Sequence, residues 1–248
     1  MILRIIGVWA YSDGEELPWP AQHVDTQWDR VERRLVHDYL EESYVIGVGA
    51  LDPDPCRICG EPLERGWSYS DGRFVWNSDL PHYVAAHGVR LPSEFVGHIC
   101  GVVSAARDSE WWKAVAGVGG GQAKLAPPAS AALHEIGQWA DAEHPDWPQL
   151  GQQGRGWDDV DKECVVEFLR TCVGIGDSGA PPAPCQLCGE SLEGSRIRSD
   201  GVFCWRDDLA HYVERHDVQL PAAVVGRINN IIDADIDWTW WKTAYTAG

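Results

Sequence analysis

Cys56-Arg-Ile-Cys59 is followed in this sequence by His82-Tyr-Val-Ala-Ala-His87, and the arrangement returns as Cys185-Gln-Leu-Cys188 with His211-Tyr-Val-Glu-Arg-His216. In both copies two residues separate the cysteines, twenty-two lie between the second cysteine and the first histidine, and four separate the histidines. The register differs by 129 throughout. Two thiolates and two imidazoles gathered from separate segments are the donor set of a closed tetrahedral zinc site. The spacing predicts two structural zinc ions per chain, one on Cys56, Cys59, His82 and His87, the other on Cys185, Cys188, His211 and His216.

Outward from these residues the likeness continues. Between Pro55–Pro92 and Pro184–Pro221, 21 of 38 positions are identical, among them Cys-x-x-Cys-Gly-Glu, Ser-Asp-Gly and Asp-Leu-x-His-Tyr-Val-x-x-His. This retention separates the eight ligands from the other sulfurs and imidazoles. Leu35 aligns with Cys164 and His37 with Val166, while His23, His98, His134, His144, Cys100 and Cys204 have no counterpart, so packing or surface roles are expected of them. Ile5-Ile-Gly-Val-Trp9-Ala10 matches Glu135-Ile-Gly-Gln-Trp139-Ala140, so the repeat begins near residue 1 and covers nearly the whole chain. The domains read as repeat 1 over 1–116, a Gly/Pro-rich linker over 117–128 and repeat 2 over 129–248.

Within each repeat the pattern is mixed. Trp28, Val31, Leu35 and Tyr39 share one helical face, as do Val160, Cys164, Phe168 and Cys172. Tyr44–Val48 and Cys172–Ile175 read as strands or extended connections. Ser70-Asp-Gly72 and Ser199-Asp-Gly201 carry the turn signal of a hairpin whose second strand is Phe74–Trp76 or Phe203–Trp205. Ser78 or Asp79, and Asp207 or Asp208, are candidate caps of the histidine helix, with Gly88 as a stop and Asp217 as a poorer one. After Leu91-Pro92 and Leu220-Pro221 comes an apolar helix, and each repeat ends on Trp-Trp-Lys, at 111–113 and 240–242. The fold class is α+β: two tandem similar zinc-binding modules, each with a short hairpin and several helices, packed with pseudo-twofold symmetry, with Trp111, Trp112, Trp240 and Trp241 expected in that contact or in a core beside it.

Composition limits the function classes. The chain has 248 residues and a formal charge of −18. Residues 1–124 hold 11 basic against 18 acidic side chains, leaving −7 there and −11 beyond. Phosphate backbones are repelled by both halves and basic partners attracted. No apolar run nears the roughly 18 residues of a membrane span, and the interrupted N-terminus is a poor signal peptide. Matched Cys-x-x-Cys pairs with histidines suit a reducing cytoplasm.

The paired cysteines and the histidine-bearing helix resemble the Cys2His2 zinc finger, over about Cys56–His87 and Cys185–His216. The resemblance implies a hairpin and helix sharing one zinc. The cysteine-to-histidine gap is much longer than the family's usual dozen residues, and the helix, with Asp79, Leu80, Tyr83, Val84, Ala85 and Ala86, offers no Arg, Asn or Gln for base edges. The ligand set carries over and the DNA-reading function does not. Glu61, Glu190, Asp71 and Asp200 are conceivable general bases for a zinc-dependent hydrolase, and more simply solvated loop residues. No phosphate loop, dinucleotide fingerprint or nucleophile triad is recognisable. The leading expectation is a zinc-stabilised, acidic, tryptophan-rich binding or regulatory protein engaging a basic protein partner such as a toxin or nuclease, in an immunity- or inhibitor-like role. It would be a monomer with pseudo-dimeric repeats or a homo-oligomer. The alternatives are a zinc hydrolase with a site at or between the modules and, behind it, a nucleic-acid-binding finger.

Overall fold

A computed structural model of the chain describes residues 1–12, 15–48, 54–63, 66–116, 131–150, 159–181, 183–192 and 194–245. The 117–128 linker lies outside them. In chain order the first half contributes β1 (Ile2–Ile5), α1 (Arg30–Glu41), β2 (Tyr44–Val48), β3 (Asp54–Pro55), β4 (Pro62–Leu63), β5 (Trp67–Ser70), β6 (Phe74–Asn77), α2 (Leu80–His87), α3 (Ser93–Ser104), β7 (Arg107–Asp108) and α4 (Glu110–Ala116). The second half contributes β8 (Leu133–Glu135), α5 (Asp159–Thr171), β9 (Gly174–Asp177), β10 (Arg196–Ser199), β11 (Phe203–Arg206), α6 (Leu209–His216), α7 (Ala222–Ile232), β12 (Asp235–Asp237) and α8 (Thr239–Thr243). The fold is α+β, and the halves follow the same order of elements except that β3 and β4 correspond in the second half to a single bridge between Pro184 and Ser191.

Two compact units form, and their limits are not those of the sequence repeats. One comprises 1–101 with 231–248, the other 102–230. The first holds a five-stranded sheet ordered β12-β1-β6-β5-β2, the second one ordered β7-β8-β11-β10-β9. In the first, β12 runs parallel to β1 with Leu3 opposite Ile236. In the second, β7 runs parallel to β8 with Arg107 opposite Leu133. The closing strand and helix of each half of the sequence therefore complete the sheet built from the other half. The Trp-Trp-Lys segments are helical, and Trp111, Trp112 and Trp241 are buried in the cores of these units, whereas Trp240 is half-buried and Lys242 exposed. Trp241 is fully buried edge-on to Trp9, 5.1 Å between ring centres, and donates its indole N–H to the Val8 carbonyl at 2.6 Å. Trp112 repeats this in the second unit with Trp139 at 5.3 Å and the Gln138 carbonyl at 2.7 Å.

The hairpins form where the turn signal lies. Antiparallel β5 and β6 pair Tyr69 with Trp76, and β10 and β11 pair Arg198 with Trp205. Both hairpin tryptophans are buried and donate to the last turn of the long helix behind them, Trp76 to the Leu40 carbonyl and Trp205 to that of Leu169. The face of that helix differs from its sequence reading. Asp29 caps α1 by accepting from the backbone N–H groups of Val31 and Glu32 at 2.9 Å, and the buried residues are Val36, Tyr39 and Leu40, whereas Val31 is 78% exposed. In α5 the buried face is Val165, Val166, Phe168 and Leu169, with Cys164 half-buried. Val31 stands at the first turn of α1, outside the buried stripe of Val36, Tyr39 and Leu40, so a helical period alone over-extends that stripe. In α3, Phe95, Val96, Ile99 and Val102 are buried as expected.

Helix ends distinguish the two units. The α2 helix stops on Gly88 at φ +66°, whose N–H bonds back to the Tyr83 and Val84 carbonyls. The α6 helix stops on Asp217 at φ +55°, the one described non-glycine residue in the left-handed region. A side chain there costs free energy that glycine avoids, and the Asp217–Lys162 pair at 2.5 Å, with Asp217 largely exposed, offsets only part of it. Asp217→Gly is expected to raise the second unit's stability by about 0.5 kcal/mol, read as a higher denaturation midpoint at unchanged slope. A lower midpoint would count against this view of the cap. Neither Asp79 nor Asp208 makes the side-chain cap expected at the start of these helices: both stand in the right-handed region, at ψ −18°, where the carboxylate does not reach over the first-turn N–H groups.

Candidate metal centres

Each centre joins a knuckle to the end of a helix. After Cys56 the chain turns back on itself: the Cys56 N–H donates to the Glu61 carbonyl at 2.8 Å, the Gly60 N–H to the Cys56 carbonyl at 2.9 Å, and the Ile58 N–H points at Cys56 Sγ from 3.4 Å. Gly60 sits at φ +76° and Gly189 at φ +74°, the left-handed conformation that closes this turn and that glycine adopts without penalty. The second knuckle repeats the bonds, Cys185 to Glu190 and Gly189 to Cys185 at 2.8 Å and Leu187 to Cys185 Sγ at 3.4 Å. Burial pushes the Cys56 thiol up, and the Cys59 and Ile58 N–H groups oppose it by favouring the thiolate, the form that binds metal.

The imidazoles arrive from α2 and α6. In the first unit Cys56 Sγ lies 3.3 Å from His87 Nε2, Cys59 Sγ 3.5 Å from His82 Nε2, and the two Nε2 atoms 3.2 Å from each other. In the second, Cys185 Sγ lies 3.2 Å from His216 Nε2 and Cys188 Sγ 3.6 Å from His211 Nε2. All four donor atoms of each group lie within 4.8 Å of one another. A tetrahedral ion with sulfur at about 2.3 Å and nitrogen at about 2.05 Å has S–N edges of about 3.6 Å and N–N edges of about 3.4 Å. The donor atoms therefore already outline the coordination shell of a small divalent ion. All eight residues singled out by spacing are brought together in these two groups, and each group could hold one metal ion.

In each group the first cysteine is buried, the second exposed and both histidines half-buried. The ion position is thus walled on one side by protein and faces the surface on the other. Two tyrosines that spacing alone does not single out fix the distance between knuckle and helix. Tyr83 Oη accepts the Arg57 N–H at 3.0 Å, and Tyr212 Oη accepts that of Gln186 at 3.3 Å. Each follows the first ligand histidine directly, and its retention in both His-Tyr-Val segments was the available signal. In the second unit the Glu190 carboxylate stands 4.0 Å from His211 Nδ1, close enough for electrostatic support of that ring.

The aspartates of the Ser-Asp-Gly turns are not solvated, contrary to the simpler sequence reading. Asp71 is buried; Oδ1 accepts from the Arg73 and Phe74 N–H groups at 2.9 and 2.8 Å, and Oδ2 from Tyr39 Oη and His98 Nε2 at 2.9 and 3.0 Å. Asp200 is built alike, with Val202 and Phe203 N–H at 2.9 and 2.7 Å and Arg227 Nε at 2.6 Å. These buried carboxylates tie the hairpin to α3 or α7: all four acceptor sites of Asp71 are taken, and three of those of Asp200. His98 and Arg227 occupy equivalent positions, so the histidine without a metal role is a structural partner. Cys204 is a core sulfur, its thiol pushed up to about 12 chiefly by burial, with Glu135 and Asp200 adding to it. Cys172 likewise points into the core, with Sγ 3.0 Å from the Ser199 carbonyl.

Burial alone would raise the Asp71 pKa, yet the His98 hydrogen bond and charge and the Phe74 and Arg73 N–H groups hold it below its ordinary value. A depressed carboxylate contributes stability that is complete above its unfolded pKa of about 3.9 and is lost as pH falls through the lower folded value. Asp71→Asn is therefore expected to cost about 3 kcal/mol at neutral pH, and the gap from the parent should narrow below about pH 4. Denaturant titrations of both proteins across that range check it; a gap independent of pH would show that the charge is not involved.

Compared with protein-family models, curated proteins and solved structures, the chain gives no significant match.

Proposed function

We propose that each unit is held by one structural zinc ion and that the protein is a binding or regulatory protein for a partner with a basic surface. The observation that carries the first part is the donor set itself. Two thiolates and two imidazoles at tetrahedral edge lengths, twice, suit zinc better than the oxygen-seeking ions. Four protein donors fill a tetrahedron, whereas a zinc that activates water keeps a position open. Asp71 and Asp200 are buried and hydrogen-bonded within their hairpins, which disfavours them as bases in the hydrolase reading. All eight cysteines are free, which suits a reducing compartment such as the cytoplasm.

The second part is supported by charge. At −18 overall the chain steers cationic surfaces toward itself and repels nucleic acid. An inhibitor- or immunity-like role against a basic toxin or nuclease fits that field. Among the described residues no helix is long and apolar enough to cross a membrane.

Metal analysis of the full chain, with Cys56→Ser and Cys185→Ser, tests the first part. Two zinc ions per chain are expected, and one in each variant; fewer than two in the parent protein would overturn it. A panel of basic nucleases and toxins, each titrated at low and high salt, tests the second. At least one saturable complex that weakens with salt is expected. Equal, non-saturating retention of every basic protein would mean that the chain behaves only as an ion exchanger.

A further inference from the structure

The grooves beside the two long helices occupy equivalent places and carry opposite charge. In the first unit a groove of about 600 Å³ between α1 and α2 is lined by Arg30, Arg33, Arg34, His37, Asp38 and Ala85. In the second a groove of about 520 Å³ is lined by Lys162, Glu163, Val166, Glu167, Arg170 and Glu214. At positions shifted by 129, Arg34 corresponds to Glu163, His37 to Val166 and Ala85 to Glu214. One groove has three cations against one carboxylate, the other two cations against three carboxylates.

We propose that the first groove binds a phosphate-bearing small anion. All three of its cations are arginines, whose planar forked donors match phosphate oxygens two at a time. Arg33 is a fixed wall: Nε donates to the Val84 carbonyl at 2.9 Å and a second nitrogen to that of Ala85. Two of its five N–H groups are used there, and its charge stays in place. Arg30 is exposed at the first position of α1. Arg34 is 84% exposed, and its pair with Asp38 is long, 3.5 Å. A pair so exposed holds weakly and yields to a doubly charged ligand. His37 reaches Asp38 through Nδ1 at 3.1 Å and stands at the same wall. Ala85 keeps the floor open where the second unit has a glutamate. The volume lies in the range of small-molecule sites. Three arginines against one carboxylate make this groove cationic in a chain whose net charge is −18.

Inorganic pyrophosphate is the probe, titrated at constant ionic strength into the full, metal-loaded, isotope-labelled chain. Saturable amide shifts are expected over 30–38 and 85–87, with a Kd of about 0.1–10 mM, and none over α5. A double variant, Arg30→Asp with Arg34→Glu, gives this groove the residue types that the sequence carries at 159 and 163. It should weaken binding at least about tenfold while the spectrum elsewhere stays unchanged, and Arg33 is left intact to keep α2 anchored. Absence of saturation, equal shifts in both grooves, or a variant that binds as well as the parent would overturn the proposal.

Discussion

Trp112→Ala is expected to destabilise the second unit and leave the first nearly unchanged, although Trp112 lies in the first half of the sequence; Trp241→Ala should do the reverse. Each indole is fully buried, lies edge-on against the tryptophan that follows β1 or β8, and donates to a carbonyl one residue before that tryptophan. Truncation removes a large buried ring from that contact and deprives the half-buried Val8 or Gln138 carbonyl of its indole partner, a loss of about 3–5 kcal/mol. Amide exchange read unit by unit is the measurement: Trp112→Ala should accelerate exchange in α6 and β11, Trp241→Ala in α2 and β6. If a variant does not fold, Trp112→Phe and Trp241→Phe lose only part of the contact and should show the same crossed pattern at smaller size. Loss confined to the half of the sequence that carries the mutation would refute the crossed completion of the sheets.

That crossing is the part of the fold that the residues did not disclose. The strands that make it are short and polar, Arg107-Asp108 and Asp235-Ile-Asp237, so no alternation of apolar residues announces them, and a parallel pair has no turn to fix its register. Their partners, Leu3 and Leu133, lie more than a hundred or some twenty-five residues away, and nothing in a Trp-Trp-Lys segment says which of two similar cores it enters. The metal ligands were legible for the opposite reason. Their chemistry requires particular residue types, and the chain states the spacing twice. The Ser-Asp-Gly hairpins were equally visible because turn residues act locally. What those aspartates do was hidden, since Tyr39, His98 and Arg227 reach them from helices distant in sequence. A loop aspartate looks solvated until the helix above it is placed.

Loss of one ligand is expected to have an effect as large as loss of a core tryptophan, but a different distribution. Zinc in isolated finger peptides supplies about 10–16 kcal/mol of apparent binding energy, and there binding and folding are one event. Here each unit has a five-stranded sheet and a buried core of its own, so only the knuckle and the end of the histidine helix depend wholly on the ion. Cys56→Ser should lower the first unit's stability by about 4 kcal/mol, or about 15 °C in Tm for a unit of this size. The greatest loss of amide protection should fall in 54–63 and α2, with β5 and β6 least affected. Cys59→Ser should cost less. Cys56 is buried and its Sγ receives the Ile58 N–H, whereas Cys59 is exposed and a serine or water can take its place. Because the two groups share donors, knuckle bonds and supporting tyrosines, Cys185→Ser should reproduce the pattern in 183–192 and α6. A chelator added to the parent protein should reproduce both at once while most sheet signal in circular dichroism persists. Complete two-state unfolding on chelation would instead mean that the cores cannot stand without metal, and the sheets would then be a consequence of the clasp and not its support.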